Sequence, residues 1–107
     1  MVDEHIVATV GRYLRTLEAQ GIEVSFGVLF GSQVRDKVDK WSDIDLLVVS
    51  PRFDTDHSRH DIELLWRLAA RTDSRIEPIP CGEHQWREDD SSAIIEIARR
   101  EGQRVQG

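Results

Sequence analysis

Between Ser42 and Ser50 the chain reads SDIDLLVVS, its densest apolar run, with two acidic residues, Asp43 and Asp45, set into it. A Val-rich run of this length is strongly β-prone, and Pro51 stops it, so a strand is predicted over 42–50. Alternate side chains of a strand point to opposite faces. Both carboxylates therefore project from one face while Ile44, Leu46 and Val48 pack the other. Like charges so placed repel, and the fold gains nothing from the pair unless a cation neutralises it. Mg²⁺, which prefers oxygen ligands, is the natural candidate. The competing reading is a solvated face, because carboxylates are usually exposed.

Such a strand needs neighbours. Residues 3–20 place Ile6, Val7, Val10, Leu14 and Leu17 at helical spacing, and Gly21 is the expected cap. Residues 23–30 (EVSFGVLF) read as a first strand, and the polar stretch 33–40 as a helical turn and loop. A second helix over 56–71 aligns Ile62, Leu65, Trp66 and Ala69, widened by Leu64 and Leu68, which makes Trp66 a core residue. Residues 74–80 (SRIEPIP) read as a shorter third strand whose Pro78 argues for an edge or terminal position, and a loop begins at Pro80. Asp90-Ser91-Ser92 caps a last helix over 93–100 that buries Ile94, Ile95, Ile97 and Ala98, and the tail from Gly102 is expected to be loosely held. Helix, strand, strand, helix, strand, helix is an α/β (α+β) order.

The 107 residues suit one domain, 1–107. Fourteen basic against twenty acidic residues give a net charge of −6, the opposite of a surface that grips nucleic-acid phosphates. No apolar stretch approaches the ~18–20 residues that span a bilayer, and the early acids Asp3 and Glu4 predict no secretory leader. A lone Cys81 cannot form an internal disulfide, and a cytoplasmic location is the expectation.

Three further features gather around the acidic pair. The first strand runs into Gly31-Ser32, a turn whose bare backbone and hydroxyl suit phosphate oxygens, and Arg35 follows within reach of the same anion. Glu77 lies within the third strand, where a third carboxylate could join the first two. Taken singly, Gly-Ser is an ordinary turn, and Arg35 and Glu77 are surface charges; their joint spacing points to a nucleotide site. Other candidates fall away. His57 and His60 are three apart but lack further nitrogen or sulfur ligands, His84 and Cys81 do not complete a zinc pattern, and Cys81 has no paired histidine to make it a nucleophile. Trp41 could stack on a base or cover the sheet edge, with the latter favoured.

Gly31-Ser32, ten intervening residues, then Asp43-Ile44-Asp45 followed by Leu46-Leu47-Val48 resembles the signature of the polymerase-beta-type nucleotidyltransferase superfamily. The fuller string GSQVRDKVDKWSDIDLLVVS is similar to its minimal nucleotidyltransferase branch, as is the ending IARREG at 97–102. Asp36 stands where that branch commonly has glycine. The resemblance implies a small mixed β-sheet flanked by helices, with Gly31, Ser32 and Arg35 on the nucleoside triphosphate. It also implies two Mg²⁺ ions held by Asp43 and Asp45, with Glu77 as third carboxylate. It further implies ATP as substrate and AMP transfer to a hydroxyl of a small helical HEPN-type protein, as in a toxin–antitoxin pair. Two other readings stand beside this one: a non-catalytic nucleotide-binding module that neutralises its partner by contact, and a small-molecule nucleotidyltransferase working as a homo-oligomer.

If Ser32 and Arg35 hold the triphosphate, Ser32→Ala or Arg35→Ala weakens nucleotide binding in calorimetry. Unchanged nucleotide affinity with altered partner affinity would overturn that assignment.

Overall fold

A computed structural model describes residues 3–31, 42–55 and 58–107. Its elements run α1 (Glu4–Ala19), β1 (Phe26–Phe30), β2 (Ile44–Val49), α2 (Arg52–Thr55), α3 (Arg59–Thr72), β3 (Ile76–Cys81), α4 (Glu83–Glu88), α5 (Ala93–Glu101) and β4 (Gln103–Val105). Short polar side chains start the three longer helices by accepting from backbone amides left without an intrahelical partner. Asp3 accepts from His5 N at 2.7 Å, Ser58 from Asp61 N at 3.1 Å, and Ser92 from Ile95 N at 3.4 Å. At the end of α1, Gly21 takes a positive φ of 92°. Its N–H then reaches Glu18 O, and Ile22 N–H reaches Leu17 O, so the chain reverses with Ile22 buried.

The strands form one mixed sheet in the order β3-β2-β1-β4. β1 is antiparallel to β2 and β4, and β2 is parallel to β3. Both faces are covered. On one, Ile44, Leu46, Val48 and Leu29 pack with Val10, Leu14 and Leu17 of α1 and Leu65, Leu68 and Ala69 of α3. On the other, Val28, Phe30, Leu47 and Val49 pack with Ile95 and Ala98 of α5, flanked by Trp86 of α4. Double coverage explains why β2 reads as a continuous apolar run rather than a clean alternation. Tyr13 donates its hydroxyl to Leu65 O at 2.9 Å, which ties α1 to α3 and leaves no buried phenol unpaired.

β3 lies at the edge, one of the two placements that Pro78 suits. Ile44 N donates to Arg75 O and Ser50 N to Cys81 O. The odd-numbered residues of β3 therefore turn their backbone groups toward β2, and the even-numbered ones, including Pro78 and Pro80, face outward. Both prolines stand where no ladder bond is lost.

Several expectations need correction. Trp66 is 48% exposed rather than core, because α3 is rotated so that Leu65, Leu68 and Asp61 face inward. α5 buries only Ile95 and Ala98, since one sheet face lies beneath it; Ile94 and Ile97 remain 45% and 36% exposed. The segment read as a loop after Pro80 contains α4, and the tail from Gly102 is held as β4, with Val105 buried beside β1. Among the described residues no helix is long and apolar enough to cross a membrane.

Asp61 is buried because Arg52 grips it with two bonds, at 2.7 and 2.9 Å, while also donating to Gly21 O. This bond pair holds the Asp61 carboxyl below its ordinary range. Its stabilising contribution is present above the unfolded carboxylate pKa and is lost as pH falls through the depressed folded value. Arg52→Ala is expected to cost about 2 kcal/mol at neutral pH, because a charged hydrogen-bonded group loses its partner. In urea melts the gap between wild type and variant should close below about pH 4; a pH-independent gap would show that the ion pair is not its source.

Candidate active site

The two registers around β2 bring the site together. Phe30 of β1 lies opposite Asp45, and Asp45 lies opposite Glu77 of β3. The C-terminal end of β1 thus meets the N-terminal ends of β2 and β3. Gly31 follows β1 at once with φ 75°, and a Cβ there would run into the Asp45 carboxylate, so this position requires glycine both for its backbone and for its bare approach. Asp43 precedes β2 by one residue and is exposed; Asp45 and Glu77 are half-buried. Asp45 shares its face with Leu47 and Val49, and Ile44, Leu46 and Val48 occupy the other, as the alternation requires. Because β2 is internal, Asp45 sits at the end of the sheet, with Glu77 beside it on the edge strand β3.

Burial first, then the negative charge of Asp43, a hydrogen bond to Asp45 and the charge of Asp45 push the Glu77 carboxyl above its ordinary pKa. A carboxyl raised in this way marks a place where negative charge is crowded, which is the condition a divalent cation relieves. Three carboxylates with oxygen donors suit Mg²⁺ by ligand type. Among the described residues no three His, Cys, Asp or Glu side chains form a ready-made ligand cage; Glu77 is bonded to Asp45 instead. The donor set fits the ion by type.

Ser32 and Arg35, with Trp41 and His57, lie outside the described residues. Cys81 is buried, with its thiol pushed up to about 11 by burial, which suits packing rather than nucleophilic work. His60 is exposed, and His84 pairs with Glu88 at 2.8 Å. A hollow of about 660 Å³ bordered by Asp54, His84, Glu88 and Asp89 lies by α2 and α4, and contains none of the three site acids.

One positioning feature escapes a sequence reading. Asp73 accepts from Arg75 Nε at 3.0 Å and from Nη2 at 2.7 Å, and Arg75 O in turn accepts from Ile44 N at 2.8 Å. This clamp fixes the turn before β3 against the start of β2, and with it the placement of Glu77 beside Asp45. The only signal is a polar Asp-Ser-Arg turn ahead of a strand, which many loops share.

The profile of the family described as nucleotidyltransferase domain matches residues 12–100. None of the curated proteins matches the sequence significantly. The fold is similar to that of a chain in the solved complex of tri-AMPylated Shewanella oneidensis HEPN toxin with MNT antitoxin. The TM-score is 0.57 at 17% identity, covering 94% of this chain and 71% of that one.

Replacing Asp43 and Asp45 together by Asn removes both negative charges that raise Glu77 and leaves burial and an amide oxygen at 45 that can still accept its proton. Carbon-detected NMR titration should then show its pKa moving part of the way down toward the ordinary carboxylate value, and the metal-free protein should melt higher as repulsion is relieved. An unmoved Glu77 would show that the acids do not share one field.

Proposed function

The chain belongs to the nucleotidyltransferase domain family, and from that premise we propose that it moves a nucleoside monophosphate, AMP from ATP, onto a hydroxyl of a protein partner of the helical HEPN type. The observation that carries this reading is the in-register opposition of Asp45 and Glu77 beside the Gly31 turn. It is supported by the solved complex of similar fold, in which the HEPN toxin is tri-AMPylated.

Asp43 and Asp45 would hold Mg²⁺, as two ions in the family's manner, supplying charge neutralisation at the attacking and leaving oxygens. The remaining roles belong to the chain. Gly31, with Ser32 and Arg35 that follow it in the sequence, would retain the triphosphate, since a bare backbone, a hydroxyl and a guanidinium suit an anion. The acceptor oxygen bonds to the α-phosphorus while the bond to the bridging oxygen breaks, and pyrophosphate departs with that electron pair. Glu77, on the neighbouring strand, would take the acceptor's proton once it no longer donates to Asp45.

A time course by mass spectrometry, with ATP, Mg²⁺ and the cognate HEPN-type protein, tests the reading. Label should accumulate on the partner and not on small alcohols, and Asp43→Asn with Asp45→Asn should abolish it. Glu77→Gln should slow transfer by about 100-fold or more, with a much smaller effect on nucleotide affinity. Full transfer by Glu77→Gln removes that residue from the chemistry. A wild type that neutralises the partner without labelling it establishes a contact module instead.

A further inference from the structure

At the other end of the sheet from the acids, Phe26 lies opposite Val49. Trp86 of α4 approaches Phe26 edge-on, with ring centroids 5.6 Å apart and planes at 75°. Arg104 of β4 lays its guanidinium over the Phe26 ring at 4.1 Å and stands 5.8 Å from Trp86. Together with Val49, Glu83 and Arg87 these residues line a notch of about 200 Å³. Arg99 is fixed nearby, donating to Gln85 O and Trp86 O, with its guanidinium 5.8 Å from the indole.

The electrostatics of the notch run against those of the chain. On a protein of net charge −6, two guanidinium groups stand 5.8 Å from one indole and a third arginine, Arg87, lines the notch. Among the described residues neither Arg87 nor Arg104 is in an ion pair, and both are exposed. Glu83 is the single carboxylate in the lining. The volume falls below the roughly 300–1,000 Å³ of pockets that enclose a drug-sized ligand, which excludes a nucleotide and leaves room for one large side chain. Aromatic rings and arginines in a pre-packed arrangement are the groups that dominate protein–protein binding energy.

We propose that this notch docks an acidic segment of a protein partner. One large apolar side chain of that segment seats in the notch against the Phe26–Trp86 pair, and the carboxylates beside it pair with Arg87 and Arg104. Guanidinium groups bind carboxylates through paired, charge-assisted hydrogen bonds, and stacking on Phe26 holds Arg104 ready for that contact. Phe26 and Phe30 share a sheet face and are four residues apart on β1, about 13 Å at roughly 3.3 Å per residue. A partner anchored here leaves the acid end free. The notch uses none of the acid-site residues and does not rest on the transfer reading.

The probe is a fluorescein-labelled Gly-Asp-Glu-Leu-Asp-Glu peptide added to the full chain at low salt. Anisotropy reports binding, and the indole N–H signal in nitrogen–proton NMR, identified by its loss in Trp86→Phe, reports the place. Binding that moves this signal is expected. Arg87→Gln with Arg104→Gln should weaken it about tenfold or more, and Ala in place of the peptide's Leu should weaken it about fivefold. Glu83→Gln should strengthen it. These side chains are at the surface, and unchanged circular dichroism confirms that the variants are folded. The proposal is overturned by absence of binding at millimolar peptide, by a still Trp86 signal, by undiminished affinity in the double arginine variant, or by equal binding of a Lys-for-acid peptide.

Discussion

Everything in this molecule hangs on β2 being clamped between an antiparallel and a parallel neighbour. A strand slipped by one residue would turn Asp45 to the opposite face and bury it between the sheet and helices α1 and α3, where an unpaired carboxylate costs several kcal/mol. Correct pairing therefore does two things at once. It buries Ile44, Leu46 and Val48 on one side and Leu47 and Val49 on the other. It also delivers Asp45 to the one end of the sheet where Gly31 leaves space and Glu77 stands opposite. Fold specificity and site assembly are the same event here.

That arrangement carries a standing electrostatic cost. Asp43, Asp45 and Glu77 repel one another, and Glu77 responds by holding its proton more tightly and bonding to Asp45. Other partly buried charged groups find partners, as in the Arg52–Asp61 pair and the Arg75–Asp73 clamp. A crowd of like charges kept in an otherwise consistent fold is what a site built around a cation demands.

Much of this was legible because the physics was local. The alternation in SDIDLLVVS assigns the faces of β2 without reference to any other element, and Pro78 assigns β3 to an edge for want of an N–H. The helices α1, α3 and α5 announce themselves by periodicity, and α5 also by its capping side chain at Ser92. What escaped was non-local. Trp66 and Leu65 differ by one helical step, and only the tertiary setting of α3 decides which faces the core. α4 is six residues with no buried side chain, and β4 is three residues whose strand character exists only because β1 offers an open side. At the site, Glu77 could be placed on its strand from sequence, but its pairing with Asp45 depends on a register that no local pattern specifies.

The outward-facing Pro78 and Pro80 have a bearing on how this protein meets others. The exposed margin of β3 lacks two of the amide donors that an incoming strand would need, and the opposite margin is a β4 of only three residues. Neither side offers a template for strand addition, so two copies have no easy way to zip into a continuous sheet, and a partner's extended segment cannot join by backbone ladder alone. Association is left to side chains and to helix surfaces, where recognition can be tuned residue by residue without altering the sheet that aligns the acids.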